Sequence, residues 1–191
     1  MKKMKEIYRD SLKELLNTRN MVLCGLMAAL AVVLSLVASI DIGPYIRVGF
    51  SGLPNRVVEC LFGPVTGCLF GGMLDVLKYI LKPSGPFFFG FTFNVMVAGL
   101  IYGTLLYRNP VTVKRIVAAE FLTKLLVNCL LNTLWISMQY GKAFFAILPL
   151  RVLKNAIMLP IDSCILYFTL TYMKKLVSKL GDFSRNRKYS V

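Results

Sequence analysis

Histidine is absent from the 191 residues, which excludes imidazole metal sites and histidine-based acid–base catalysis. Acidic residues are scarce, with nine Asp and Glu against 23 Lys and Arg, and charged residues make up only 17% of the chain. A soluble domain carries roughly a quarter. The five cysteines, at 24, 60, 68, 129 and 164, form no CxxC pair and sit in apolar runs, which speaks against a disulfide or zinc framework. No G-x-x-x-x-G-K-[ST] loop occurs, so the chain has no phosphate cradle with which to use ATP by itself. Neither a clustered acidic metal site nor a nucleophile motif is present, and nothing calls for a cofactor.

What is abundant is apolar sequence. Hydrophobic residues reach 57% and the mean hydropathy is +0.65. The run "MVLCGLMAALAVVLSLVASI" at 21–40 has the ~20 residues that one membrane crossing needs. It is longer than the roughly 7–15 residues of a signal-peptide core, so a retained first helix is expected despite the cleavage-like "VAS" at 37–39. The net charge of +14 is not spread as on a nucleic-acid-binding face. Fifteen of the 23 basic residues lie before residue 20, in 108–115, or from Lys174 onward. All three places flank apolar runs, as cytoplasmic segments do.

These patterns predict an all-α integral membrane protein. Residues 1–19 alternate charged and apolar positions, with Ile7, Leu12, Leu15 and Leu16 as the apolar set, and read as a cytoplasmic amphipathic segment. Spans are expected at about 20–40, 53–62, 64–82, 91–107, 112–140 and 144–175, with a basic cytoplasmic tail at 176–191. The piece 53–62 is short for a full crossing, so it is tilted or re-entrant. Six transmembrane passes put both termini and the basic connection on one side, N-in and C-in. The loops 41–55, 82–91 and 140–144 then lie outside. The transmembrane domain is 20–175.

Polar residues at membrane depth carry the functional signal, because lipid cannot satisfy them. Lys124, Asn128, Asn132 and Trp135 recur on one face of the fifth span. Arg151, Asn155 and Asp162 share a face of the sixth, with Lys154 beside them, and Asn94 lies near the outer end of the fourth. Asn132, Trp135, Arg151 and Asn155 can meet in an outward-facing cavity beneath the aromatic loop 86–93, with Asn94 a further candidate binding residue. Arg151 offers a bidentate fork to a carboxylate, the asparagines offer donors and acceptors to a heterocycle edge, and Trp135, Phe88, Phe89 and Phe91 offer faces for stacking. Such a cavity suits an anionic, aromatic small molecule. The competing role for these groups is glue between helices, and for the phenylalanines, anchorage at the interface. Arg47, in the outer loop, is a second cation, a lid contact, or neither.

"GGMLDVLKYILKPSG" at 71–85 places Asp75 and Lys78 one turn apart in an apolar run, which is costly inside a membrane. If the second and third passes form a hairpin about "FGP", Arg56 and Glu59 lie at matching depths. The expected structural ion pairs are Arg56 with Asp75 and Glu59 with Lys78.

A family resemblance rests on "LP" entering a short second helix, then "GPVTGCLFGGMLDVLK" and "PSGPFFFGFTFN". Over roughly 20–175 the chain resembles the substrate-binding S components of energy-coupling factor (ECF) vitamin transporters. Its second half, with "NCLLNTLWISMQYG" and "LPLRVLKNAIMLPI", is most similar to the folate members. The resemblance implies a bacterial plasma-membrane protein that captures folate or a related vitamin outside. It would deliver it through a transmembrane scaffold subunit and two ATP-binding subunits. It also implies a small-residue docking surface on the first helix, for which Gly25, Ala28 and Ala29 are candidates, although small residues serve ordinary packing too. An S component for another anionic aromatic vitamin, a self-sufficient secondary transporter and, least favoured, a membrane enzyme are the alternatives.

Overall fold

The computed structural model describes residues 2–37, 39–42, 46–83, 87–140 and 144–187, with side chains over 5–37, 51–83, 87–139, 148–149 and 151–176. The architecture is a helical bundle with one two-stranded ribbon. The helices are α1 (Lys2–Leu15), α2 (Thr18–Val37), α3 (Leu53–Leu81), α4 (Phe89–Leu106), α5 (Val113–Thr123), α6 (Asn132–Tyr140) and α7 (Phe144–Arg187). A π-helical segment, Lys124–Leu131, joins α5 to α6. Among the described residues, five helical stretches are long and apolar enough to cross a membrane: Thr18–Val37, Leu53–Leu81, Phe89–Leu106, Val113–Gln139 and Arg151–Leu176.

The stretch Leu53–Leu81 is not one straight rod. Gly63 has φ 88° and ψ −174°, a conformation that a side chain disfavours, and Pro64 cannot donate a helical hydrogen bond. The chain reverses there. A Cβ placed on Gly67 would lie 3.2 Å from the Cα of Glu59, whereas eight residues of straight helix would separate the two by about 12 Å. The short and long arms therefore fold back on each other about "FGP". At ten residues, the arm 53–62 is only about 15 Å long, half a bilayer core.

The hairpin is the innermost element. Val57 and Cys60 of its short arm pack with Tyr102, Leu106, Ile116 and Leu166 from α4, α5 and α7. Val58 and Phe62, turned the other way, pack with Phe70, Leu74 and Ala31 of α2. By contrast α2 buries little beyond Ala31 and Ser35 and presents Val22, Leu26, Leu30 and Val33 outward.

The α1 helix closes one end of the bundle, using its polar side. Ser11, fully buried, accepts from the backbone N–H groups of Val65 and Thr66 at 3.1 and 3.2 Å. It also donates to the Phe62 carbonyl at 2.7 Å, while Thr66 Oγ1 donates back to the Ser11 carbonyl. The N–H groups at the start of the long arm, which have no intrahelical acceptor, are thus capped from another helix. Tyr8 bonds Thr104, and Asp10 pairs with Arg108. Leu12 and Leu16 of the apolar set are exposed at 50% and 82%, since α1 meets the reversed turn through polar groups.

Three further expectations change. The stretch 41–55, read as loop, contains an antiparallel ribbon in which β1 (Ser39–Ile42) pairs with β2 (Ile46–Gly49), and α3 already begins at Leu53. The fifth span is not uniformly α-helical. The last helix runs on to Arg187 instead of ending near 175, so the tail boundary at 176 is not a break in secondary structure.

Candidate functional site

The residues of interest lie where the π segment and α6 meet α7 and the start of α4. Asn155 holds two neighbours on the π segment: its amide donates to Cys129 Sγ at 3.4 Å, and its Oδ1 accepts from Asn128 Nδ2 at 3.5 Å. Arg151, one turn earlier on α7 and half-buried, donates to the Asn128 carbonyl at 3.4 Å. At the head of the segment Lys124, buried, bonds Asp162 and lies 3.9 Å from Glu120. Lys154 is within electrostatic reach of Arg151, Lys124 and Asp162. Lys124 thus meets two carboxylates, and Arg151 lies farther along the segment, at Asn128.

Toward the ribbon end of the bundle the site becomes aromatic. Trp135 Nε1 donates to Asn94 Oδ1 at 3.0 Å, which fixes both the indole and a buried amide. Phe88 lies 5.6 Å from the Trp135 ring and 5.7 Å from Phe91, centroid to centroid. Gly90 makes this possible: a Cβ there would approach Trp135 Cδ2 to 2.8 Å. Trp135 is seven residues beyond Asn128, about 10 Å along the helix axis. A flat apolar wall and a cationic polar patch therefore flank the same helical rod.

Asn94, Trp135 and Phe91 are brought together, as are Arg151 and Asn155. Asn132 lies between the two groups, half-buried. Phe89 is not part of the wall; it is 66% exposed because the first turn of α4 directs it away from Phe88 and Phe91. Arg47 stands opposite Asp41 in the ribbon, and its side chain lies outside the described residues. Asn128 and Cys129 were not singled out as site residues. The signal for Asn128 was its place on the polar face, whereas Cys129 carried none.

The ion pairs differ from expectation. Arg56 Nη1 bonds both carboxylate oxygens of Glu59, at 2.9 and 2.8 Å, and its guanidinium carbon lies 3.8 Å from the centre of the Tyr102 ring. Asp75 instead accepts from Thr92 Oγ1 at 2.8 Å, and Lys78 donates to the Ser51 carbonyl at 2.9 Å. Arg56 and Glu59 are three residues apart on one arm, so their face turns as a unit toward α4. Of the docking candidates, Gly25 and Ala29 are exposed on α2, while Ala28 packs toward Phe62, Phe70 and Leu74.

Comparison with known proteins places the chain in a family. Residues 19–170 match the family described as ECF transporter, substrate-specific component. The chain belongs to that family. Among its relatives is a folate transporter FolT of Clostridium novyi (strain NT), 33% identical over 167 residues, covering 86% of this chain and 96% of the relative. Another is a folate transporter FolT of Leuconostoc mesenteroides, 35% identical over 162 residues, covering 81% and 86% respectively. A solved structure, the crystal structure of FolT bound with folic acid, superposes with a TM-score of 0.75 at 30% identity, covering 82% of this chain and 95% of that one. The match spans all the elements that build the S component's aromatic wall and cationic patch.

Proposed function

We propose that this S component binds folate at the Arg151–Trp135 face and hands it to an ATP-driven ECF module. The observation that carries the reading is the pairing, on one rod, of the Trp135–Phe88–Phe91 wall with the Arg151 patch. A folate has the complementary layout, with flat rings at one end and carboxylates at the other. Aromatic faces stack the rings, and Arg151 forks to a carboxylate. Asn155, Asn94 and Asn132 supply hydrogen bonds along its length. Relatives named as folate transporters support the choice of ligand.

The proposed topology has six passes, counting each arm of the hairpin once, with α1 and the α7 tail in the cytoplasm and the ribbon outside. The positive charge around 2–19, 108–115 and 174–188 supports that orientation. Scaffold docking is assigned to the exposed Gly25 and Ala29, four residues apart on α2, where small side chains let another helix approach closely. Arg47 remains a candidate lid contact. The partners are one scaffold subunit and two ATP-binding subunits.

The test is folate titration of the detergent-solubilised chain by calorimetry and by fluorescence of Trp135, the only tryptophan. Tight binding with a quenched or shifted Trp135 signal, and loss of that binding in Arg151→Ala, is expected. A folded protein that binds no folate withdraws the ligand, and liposomes containing the chain alone that accumulate folate would refute dependence on an ECF module.

A further inference from the structure

We propose that the π segment Lys124–Leu131 is a positioning device for Arg151, which sets the guanidinium by offering it the Asn128 carbonyl; this rests on the reading of Arg151 as a ligand-binding residue. In an α-helix the carbonyl of residue 128 receives the N–H of residue 132. Here the N–H of Asn132 reaches back five residues to the Val127 carbonyl. The donor that the Asn128 carbonyl would have in an α-helix is thereby directed elsewhere. Arg151 Nη1 donates to that carbonyl at 3.4 Å.

The segment is gripped from α7 at successive levels. Asp162 holds Lys124 at its head, and Asn155 holds both the Asn128 side chain and Cys129 Sγ. These contacts keep the wide turn from relaxing into α-helix, and π-bulges recur at functional sites for this kind of re-aiming. A neutral carbonyl orients a guanidinium without itself cancelling its charge. Arg151 and the bulge therefore act as one unit, in which the bulge touches no ligand and works through the arginine.

That unity is tested by a double-mutant cycle. A π-bulge is in effect one extra residue, and Leu130, 45% exposed, is the residue to delete to restore α-helical register. Folate affinity is measured for wild type, Arg151→Ala, the Leu130 deletion and the combination. Each single change is expected to weaken binding, by roughly ten- to a hundredfold for a lost or misaimed charge-assisted contact. The deletion should cost no more than about twofold once Arg151 is already alanine. Losses that multiply overturn the proposal, since the bulge would then act independently of Arg151. Folate affinity unchanged in Arg151→Ala overturns the binding reading itself and the inference with it.

A second measurement does not depend on the deletion variant folding. Asn128–Cys129 is the one Asn–Cys step in the sequence, so carbonyl-13C asparagine with 15N cysteine gives a single resolved carbonyl signal. Arg151→Ala should move that signal by removing its donor. A signal that stays in place in a folded variant shows that Arg151 does not hold the carbonyl, and overturns the proposal.

Discussion

Arg56 and Arg151 are both cations within membrane helices, and the bundle accommodates them in different ways. Arg56 is neutralised by two hydrogen bonds to Glu59 from the next turn of its own helix and is covered by the Tyr102 ring. Arg151 is oriented by the neutral Asn128 carbonyl and shares its surroundings with a second cation, Lys154. The first arrangement closes on itself and holds the innermost hairpin to α4. The second holds the cation that, on the proposed reading, meets an anionic ligand. On that reading the molecule divides by region, with the α3–α4 contact as scaffold and the α6–α7 face as the proposed receptor.

The division predicts that the two arginine environments fail in different assays. Glu59→Gln keeps the shape of the side chain but strands a buried guanidinium, and breaking a buried pair costs about 3–5 kcal/mol. The largest drop in thermal stability in detergent is expected here. Glu59→Gln with wild-type stability would end the claim that this pair holds the core. Arg151→Ala should instead leave the ligand-free protein close to wild-type stability while costing about 1.5–3 kcal/mol of folate binding. Folate at about 100 times Kd should stabilise the wild type by about 2.7 kcal/mol, and the same folate concentration should scarcely shift unfolding of Arg151→Ala.

Between these extremes lies the turn that joins hairpin and α1. Gly63→Ala forces a side chain into positive φ, at about 1–3 kcal/mol, and its Cβ would stand 2.8 Å from Ser11 Oγ. Ser11→Ala removes the cap on Val65 and Thr66 together with the donor to the Phe62 carbonyl, and should cost about 1–2 kcal/mol. Both belong to the scaffold half, so equilibrium unfolding should register them while the affinity of the folded fraction for folate is retained. A fall in that intrinsic affinity on Ser11→Ala would show that the two halves are coupled through the turn.

Much of this was legible in the sequence, for identifiable reasons. Apolar run length marked the helices long and apolar enough to cross a membrane, and "FGP" gave the reversal, because a glycine–proline step breaks the helical hydrogen-bond ladder. Depth matching placed Arg56, Glu59, Asp75 and Lys78 in the same hairpin. It could not give the pairing, because that depends on how each arm is rotated about its own axis. Arg56 and Glu59 turn together toward Tyr102, while Asp75 turns to Thr92 on α4. The π segment was invisible for a related cause. Lys124, Asn128, Asn132 and Trp135 fit an α-helical face by spacing, and a single added residue per turn is decided by contacts from α7 that local sequence does not encode. The ribbon at 39–49 was hidden by its brevity between glycines and prolines.

The smallest predicted effect separates neighbours within the receptor half. Phe88, Phe89 and Phe91 were equivalent by composition, but the structure sets Phe88 and Phe91 against each other and Phe88 against Trp135, and turns Phe89 outward. An aromatic pair contributes about 0.5–1.5 kcal/mol beyond its buried area, so Phe88→Ala should loosen the wall and weaken folate binding by that order. Phe89→Ala removes a ring that touches neither the wall nor the cationic patch. Its effect on folate affinity should stay within about 0.5 kcal/mol, as for an exposed substitution away from any special feature. Calorimetric titration of the two variants side by side decides the matter. Equal losses would mean that the ligand draws the first turn of α4 into a different rotation, and the receptor face would then have to be redrawn to include Phe89.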